Sequence, residues 1–340
     1  MDDFDRRLLR ALQHRVPLVR EPFAVLAGEL GADEPRVIRA IADLRARGVI
    51  REISAIFDAT ALGYDQALVA LRVPPGRLDK AGRIAAEHPG VSHCYARRGS
   101  VNLWLTLSTS PASRLGLPTT ADALARDAGA DACMLLPTLR RYKLRVAFDL
   151  DDDAPAMPAE EPGESAEISP TPPPGGLTDE QRAAVRALQV DLPARADPFA
   201  GPAAAEGLHP DMLLVHAADF LAARWMRRYA AVLHHRAAGA GANVLVAWKV
   251  AEPAADRAGA RCARQANVSH CYLRPTAPDW PYNLYTMIHG RNEQHCRATV
   301  DEILATTDLD EYVELWTTSE YAKRRVRLFT DDEARWEAGR

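Results

Sequence analysis

The apolar positions along the chain predict one succession of elements, and then predict it again. In 5–13, Leu8, Leu9 and Leu12 recur at helical spacing. A second short helix is expected over 23–30, ending at Gly31, and a third over 34–47. The third places Val37, Ile38, Ile41 and Leu44 on one face and has Gly48 behind it, the residue type that most often closes a helix. VIREISAIFD (49–58) follows as a strand, and short helices ahead of such a strand predict a winged helix-turn-helix. Next come strands at 66–73, 91–98 and 101–109, helices at 77–88 and 112–128, and a last strand at 132–148. This β-α-β-β-α-β order is the ferredoxin-like plan.

The second succession is tied to the first by repeated residues. VSHCYAR (91–97) returns as VSHCYLR (268–274), and Val101-Asn102-Leu103-Trp104 returns as Tyr282-Asn283-Leu284-Tyr285. Upstream, LGYDQALVALRVP (62–74) matches AGAGANVLVAWKVAEP (238–253) in place and alternation. The period of about 175 residues is too long for a solenoid, so the chain reads as one internal duplication. In the second copy the third helix is expected over 210–226, with Pro210 in the first turn, where its missing N–H costs nothing. Between the copies, 149–176 is rich in Pro, Glu and Asp with almost nothing to bury, the composition of a flexible linker.

The expected fold class is therefore α+β: a tandem duplication of a winged helix-turn-helix plus a ferredoxin-like (βαββαβ) domain. The boundaries fall at 1–60 and 61–148 for the first copy, 149–176 for the acidic linker, 177–235 for a degenerate winged helix and 236–330 for the second ferredoxin-like domain.

Composition narrows the class. The 340 residues are 47% hydrophobic and 26% charged, with no apolar run long enough to span a bilayer. The start, MDDFDRRLLR, lacks the basic-then-apolar layout of a signal peptide, and a cytoplasmic location is expected. The five cysteines form no C-x-x-C pair, which argues against a structural zinc or an iron–sulfur cluster. A formal net charge of −4 gives no global case for nucleic acid.

The third helices carry the case for or against DNA. The first has Arg36, Arg39, Arg45 and Arg47, which could touch phosphates or simply form a solvated face. Its counterpart, HPDMLLVHAADFLAARWM (209–226), is acidic and apolar instead. A dimeric DNA reader needs two matching helices, so DNA is not the expected partner.

A winged helix followed by a ferredoxin-like domain resembles the Lrp/AsnC regulators. The second copy goes further: MRRYAAVLHHRAAGAGAN (226–243), VSHCYLRP (268–275) and PDWPYNLYTMIHGR (278–291), in that order, resemble the siroheme decarboxylases of heme d1 and alternative heme biosynthesis. GVSHCYARRGSVNLWLTL (90–107) resembles their partner subunit type. The chain departs from that pattern at Ala240 and Val101, where aromatic residues are usual.

The resemblance implies a carbon–carbon lyase (carboxy-lyase) that removes two acetate carboxyl groups from siroheme to give 12,18-didecarboxysiroheme. It implies no redox or organic cofactor, because the iron tetrapyrrole is the substrate, and no resident metal. The partners expected are siroheme or a related iron tetrapyrrole, with a homodimer or homologous decarboxylase subunits open. The competing reading is a Lrp/AsnC-type transcriptional regulator or heme-sensing DNA-binding protein, and a third is a heme carrier without catalysis.

Decarboxylating an acetate on the macrocycle needs cations for the carboxylates and a proton donor for the electrons that CO2 leaves behind. Arginine forks a carboxylate bidentately, and a histidine near neutrality can donate the proton. His235 lies where the resemblance places a catalytic-site histidine, whereas the matched position in copy one is Ala59. Along V-S-H-C-Y, period-two alternation puts His270, Tyr272 and Arg274 on one face and Ser269 and Cys271 on the other. His93, Tyr95 and Arg97 form the matching set. The catalytic candidates are His235 and His270. The substrate-binding candidates are His93, Tyr95, Arg97, Arg228, Arg236, Tyr272, Arg274, Trp280, Tyr282 and Asn283, with the substrate iron open to ligation by His270 or His93. Arg227 is weighed beside Arg228, and His289 reads as structural at a strand end.

Overall fold

The computed structural model describes residues 1–144, 173, 175–233 and 242–340. The first copy begins with α1 (Asp3–His14), α2 (Pro22–Leu30) and α3 (Glu34–Ala46), then β1 (Ile50–Phe57). The Asp2 and Asp33 side chains accept the Asp5 and Arg36 N–H groups that open α1 and α3. Gly31 and Gly48 leave α2 and α3 at φ 67 and 66, a conformation L side chains resist. The chain continues through β2 (Asp65–Arg72), α4 (Leu78–Glu87), β3 (Val91–Arg97), β4 (Leu103–Thr109), α5 (Gly116–Ala128), β5 (Ala132–Pro137) and β6 (Arg140–Leu144).

The second copy runs α6 (Asp179–Leu188), α7 (Ala200–Ala205), α8 (Pro210–Ala222) and β7 (Met226–Leu233). It goes on with β8 (Ala242–Trp248), α9 (Ala255–Arg264), β9 (Val268–Leu273), β10 (Leu284–Gly290), α10 (Glu293–Thr306), β11 (Tyr312–Lys323) and α11 (Asp332–Ala338). The third helix of this copy stops short of the expected 226. Arg224 turns the chain at φ 58, as Gly48 does in copy one, and Met226 already begins a strand.

The two winged-helix units share one core and one small sheet. β1 pairs antiparallel with β7, and Leu8, Phe23 and Ile41 pack in the same cluster as Leu188, Phe199, Phe220 and Tyr229. Three of the four arginines in and just after α3 contact other residues of the chain, Arg36 and Arg47 from exposed positions. Arg36 lies 4.1 Å from the Phe4 ring centroid, Arg45 bonds Asp191 and the Leu192 carbonyl, and Arg47 bonds Asp5.

All nine strands of the larger sheet are antiparallel neighbours in the order β5-β2-β4-β3-β11-β8-β10-β9-β6. Within it, β5-β2-β4-β3 and β11-β8-β10-β9 are two ferredoxin-like sheets. The single strand expected at 132–148 is two. β5 stays with its own copy on β2, and β6 crosses to pair with β9 of the other copy. In return, β11 pairs through Tyr312–Trp316 with β8 and through Thr317–Lys323 with β3. Residues 145–148 of that expectation lie outside the described residues.

Each exchanged strand is seated by a tyrosine on a helix glycine. Tyr142 of β6 lies against Gly259 of α9, and Tyr321 of β11 lies against Gly82 of α4; a Cβ on either glycine would overlap the ring. The Tyr142 hydroxyl also donates to Asp256 at 2.6 Å.

Helices cover one face of each ferredoxin-like sheet, over Leu105 and Leu124 in the first copy and Val246 and Val300 in the second. The other faces meet in a core built by both copies from Ala70, Val101, Trp104, Leu136, Leu245, Ala247, Trp280, Tyr285 and Leu315. The tail beyond 330, where the second domain was expected to end, forms α11 and returns to copy one. There Glu337 accepts from Ser113, Arg114 and Leu115.

Candidate active site

The face of β9 turned away from its helices carries the duplicated motif. His270 and Tyr272 stand side by side, ring centroids 6.0 Å apart, and His93 and Tyr95 repeat this on β3 at 6.1 Å. Cys271 and Cys94 point the other way, into the helix-covered cores. The alternation assigns His, Tyr and Cys correctly and fails for serine. Register slips at Ser269, between the pairs His270↔Met287 and Val268↔Ile288, and at Ser92 in the same manner. Each slip is a β-bulge, whose extra residue breaks the period of two. Ser269 therefore joins His270: its Oγ lies 2.7 Å from His270 Nδ1 and 2.9 Å from His289 Nε2. Burial, with His289, His93 and Arg274 nearby, pushes the His270 imidazole down to about 4, so it is neutral at pH 7.

Arg274 and Arg97 end the two motifs at matched depth. Arg274 donates to the Leu136 carbonyl at 2.6 Å, with its guanidinium 5.1 Å from the Tyr272 ring centroid. Arg97 donates to the Leu315 carbonyl at 2.9 Å and lies 5.2 Å from Tyr95. Each arginine thus reaches a strand of the other copy, Arg274 on β5 and Arg97 on β11. In both, Nε is buried without a partner, and among the described residues neither forms an ion pair with a carboxylate. Burial lowers Arg97 to about 10, which still leaves it charged at neutral pH. Two buried cations without an acid make this interior attractive to anions.

What stands opposite each tyrosine breaks the symmetry. Arg141 on β6 pairs with Tyr272, whereas Glu320 on β11 pairs with Tyr95. Arg141 and Arg227 both reach Asp58, at 3.9 and 2.6 Å, in the turn after β1. Burial pushes the Asp58 carboxyl up, but Arg227, the Ala61 N–H and Arg141 outweigh it and hold it below the usual range. Burial pushes the Tyr272 phenol up while Arg274, Arg141 and Arg227 pull it back. Around Tyr95, Glu320 adds to the push of burial instead. The Tyr272 side is the cationic one.

Several sequence candidates stand elsewhere. Arg228 points from β7 towards α1, where it reaches the Gln13 carbonyl at 3.5 Å, and its neighbour Arg227 is the one beside Tyr272. Trp280 is buried, its indole N–H donating to Tyr285 at 2.8 Å and its ring 5.4 Å from Trp104, so it packs the core. The Asn283 amide grips the Val250 N–H and carbonyl, both at 2.9 Å, as Asn102 grips Val73; this fixes a loop rather than a ligand. Tyr282 is half-buried against Trp280 at 4.9 Å. His93 is exposed, with Nδ1 3.0 Å from Ser92 Oγ. His235 and Arg236 lie outside the described residues.

Comparison with known proteins bears on this arrangement. Residues 61–143 and 237–322 match the AsnC-like ligand binding domain, and residues 5–51 match the siroheme decarboxylase NirDL-like HTH domain. A siroheme decarboxylase of Hydrogenobacter thermophilus is 32% identical over 335 residues, covering 98% of this chain and 97% of that one. The chain belongs to the siroheme decarboxylases. The siroheme decarboxylase NirDL crystal structure superposes with a TM-score of 0.78 at 28% identity, covering 99% of this chain and 98% of that one. A second NirDL structure, in complex with an iron-uroporphyrin III analogue, matches equally well. The match covers both copies, so this siroheme decarboxylase is of the fused, single-chain type and a decarboxylase by family.

Asp58, Arg141 and Ser269 were not legible as site residues. Asp58 meets Arg227 from 169 positions away, which no local pattern records. Arg141 lies in what reads as one continuous strand, and the bulge at Ser269 leaves no mark in V-S-H-C-Y.

Proposed function

We propose that this chain is a carboxy-lyase that takes acetate carboxyl groups from siroheme, giving 12,18-didecarboxysiroheme. The observation that carries the reading is the convergence of Arg141, Arg227 and Arg274 around Tyr272, beside His270. Siroheme is a polycarboxylate, and forked guanidinium groups suit carboxylates better than any other side chain. The arginines hold the substrate's carboxylates on the β9 face and orient the acetate that reacts. When its carbon–carbon bond breaks, CO2 leaves and the electron pair stays on the methylene carbon, conjugated with the macrocycle. A proton from His270 then converts that carbon to a methyl group. The iron macrocycle is the substrate, and the proposed chemistry calls for no further cofactor. His235 and Arg236 stay in this proposal on the family resemblance.

The Tyr95 side, with Glu320 in place of an arginine, is the poorer polycarboxylate site, so one competent pocket per chain is proposed. Because β6 of copy one completes the pocket of copy two, the fused chain supplies the site without a separate subunit. A cytoplasmic location fits the five cysteines, all free. Against DNA reading, α8 has no Lys or Arg and exposes Met212, Val215 and Leu221, a surface without cations for phosphates.

Anaerobic incubation of the purified chain with siroheme, followed by mass spectrometry, tests the reading. Two successive losses of CO2, abolished by His270→Ala and by His235→Ala, are expected. Tight binding with unchanged mass would replace the enzyme with a tetrapyrrole carrier.

A further inference from the structure

The duplicated bulge gives the two copies one difference beyond charge. In copy two, Ser269 Oγ stands between two imidazoles, His270 Nδ1 at 2.7 Å and His289 Nε2 at 2.9 Å, with the Met287 carbonyl 3.3 Å away as its remaining contact. In copy one, the Ser92 bulge reproduces the contact to His93 at 3.0 Å. The position matching His289 is there Ser108, a buried serine that accepts from Gln66 Nε2 at 3.0 Å. Among the described residues the chain imidazole–hydroxyl–imidazole therefore stands beside the cationic face and not in copy one.

We propose that His289, Ser269 and His270 form a proton relay, with Ser269 and His289 as positioning residues that load the proton His270 delivers to substrate. This rests on the decarboxylase reading above and names how its acid is supplied. A serine hydroxyl has one proton and can accept another, so it can pass a proton between two ring nitrogens without net change. The need arises because His270 is held neutral. Burial and the groups facing it, His289 on β10, His93 on β3 and Arg274 beyond β9, all disfavour its charged form. A neutral imidazole that gave up its proton unaided would be left as an unfavourable imidazolate.

The steps balance. His289 gives its Nε2 proton to Ser269 Oγ as it takes one from solvent at Nδ1, and Ser269 gives its hydroxyl proton to His270 Nδ1. His270 gives its Nε2 proton to the carbon that has lost CO2, where the electron pair of the broken carbon–carbon bond becomes the new C–H bond. Both histidines end neutral with the proton on Nδ1, and transfer back along the same chain, with solvent exchanging protons at the outer nitrogens, restores the starting tautomers. Accepting from Ser269 at Nδ1 also fixes the tautomer of His270, keeping its Nε2–H available for donation.

Ser269→Ala and His289→Ser, the latter installing the residue of copy one, test the relay in the full-length chain with siroheme under anaerobic conditions. Each is expected to lower kcat about 10- to 100-fold, within the range a positioned acid contributes. The KM is expected to stay within about twofold, since the relay touches no carboxylate. Ser269→Thr, which keeps the hydroxyl, recovers most of kcat. The rate measured across H2O–D2O mixtures bends for the wild type, because several protons move together, and becomes linear in Ser269→Ala. Unchanged kcat in both variants, or an equal loss in Ser269→Thr with the bend retained throughout, overturns the relay while leaving the decarboxylase intact. A wild-type chain that releases no CO2 removes the decarboxylase reading and the relay with it.

Discussion

Tyr95 and Tyr272 occupy matched positions, and one residue opposite each decides what the surroundings attract. Glu320 faces the first and Arg141 the second, on strands that each copy lends to the other. A hydrogen bond to a charged group contributes about 1.5–3 kcal/mol when desolvated. Arg141→Glu, which gives copy two the acid of copy one, is thus expected to weaken siroheme binding at least about tenfold, or about 1.4 kcal/mol. Glu320→Arg is expected to change it little, and an absorbance titration checks both. Equal effects of the two substitutions would count against a single competent pocket. At this scale the sequence goes far with His270, Tyr272 and Arg274, which depend only on alternation along one strand. It fails for Ser269, because a bulge is an interstrand event, and for Arg228 against Arg227, because their direction depends on what packs beside β7.

The exchanged strands are the elements on which the pocket depends. β6 brings Arg141 to β9 through the strand ladder, and Tyr142, one residue on, seats it by lying against Gly259 and donating to Asp256. Any side chain on Gly259 displaces that ring. Gly259→Ala is expected to cost about 1–3 kcal/mol, typical of an overpacked site, and to lower the melting temperature by a few degrees. Calorimetry reads the stability and a siroheme titration reads the pocket. If the seat is the cause, adding Tyr142→Ala recovers part of the stability lost by Gly259→Ala while binding stays weak. A stability loss identical with and without the second change would place the damage elsewhere. The pattern over 132–148 cannot reveal the break at Thr138 and Leu139, because the residues on both sides of it run as strands and the two differ in whom they pair with.

In the whole molecule the two copies are no longer separable units. They share the winged-helix core, the sheet β1-β7, the core containing Trp104 and Trp280, and both exchanged strands. Aromatic contacts such as Trp104–Trp280 add about 0.5–1.5 kcal/mol each beyond the area they bury. By composition, the acidic stretch 149–176 offers almost nothing apolar to bury. Cleavage at a protease site introduced within it is expected to leave the halves comigrating on gel filtration, with decarboxylation retained. Separation of the halves without denaturant would mean that the covalent link, not the shared cores, holds the copies together.

By itself the sequence determined the duplication, the two domain types in each copy and the family. All of these are written in local periodicity and in residues repeated at one spacing. It also determined which face of each V-S-H-C-Y strand His and Tyr share, as far as strict alternation holds. Only the tertiary structure decided that each copy completes the other, that Arg141, Arg227 and Asp58 meet, and that Ser269 links two histidines. Those outcomes depend on strand partners, a bulge and contacts between residues far apart in the chain. Their free energy lies in packing between elements, and a pattern read along one strand carries no record of it.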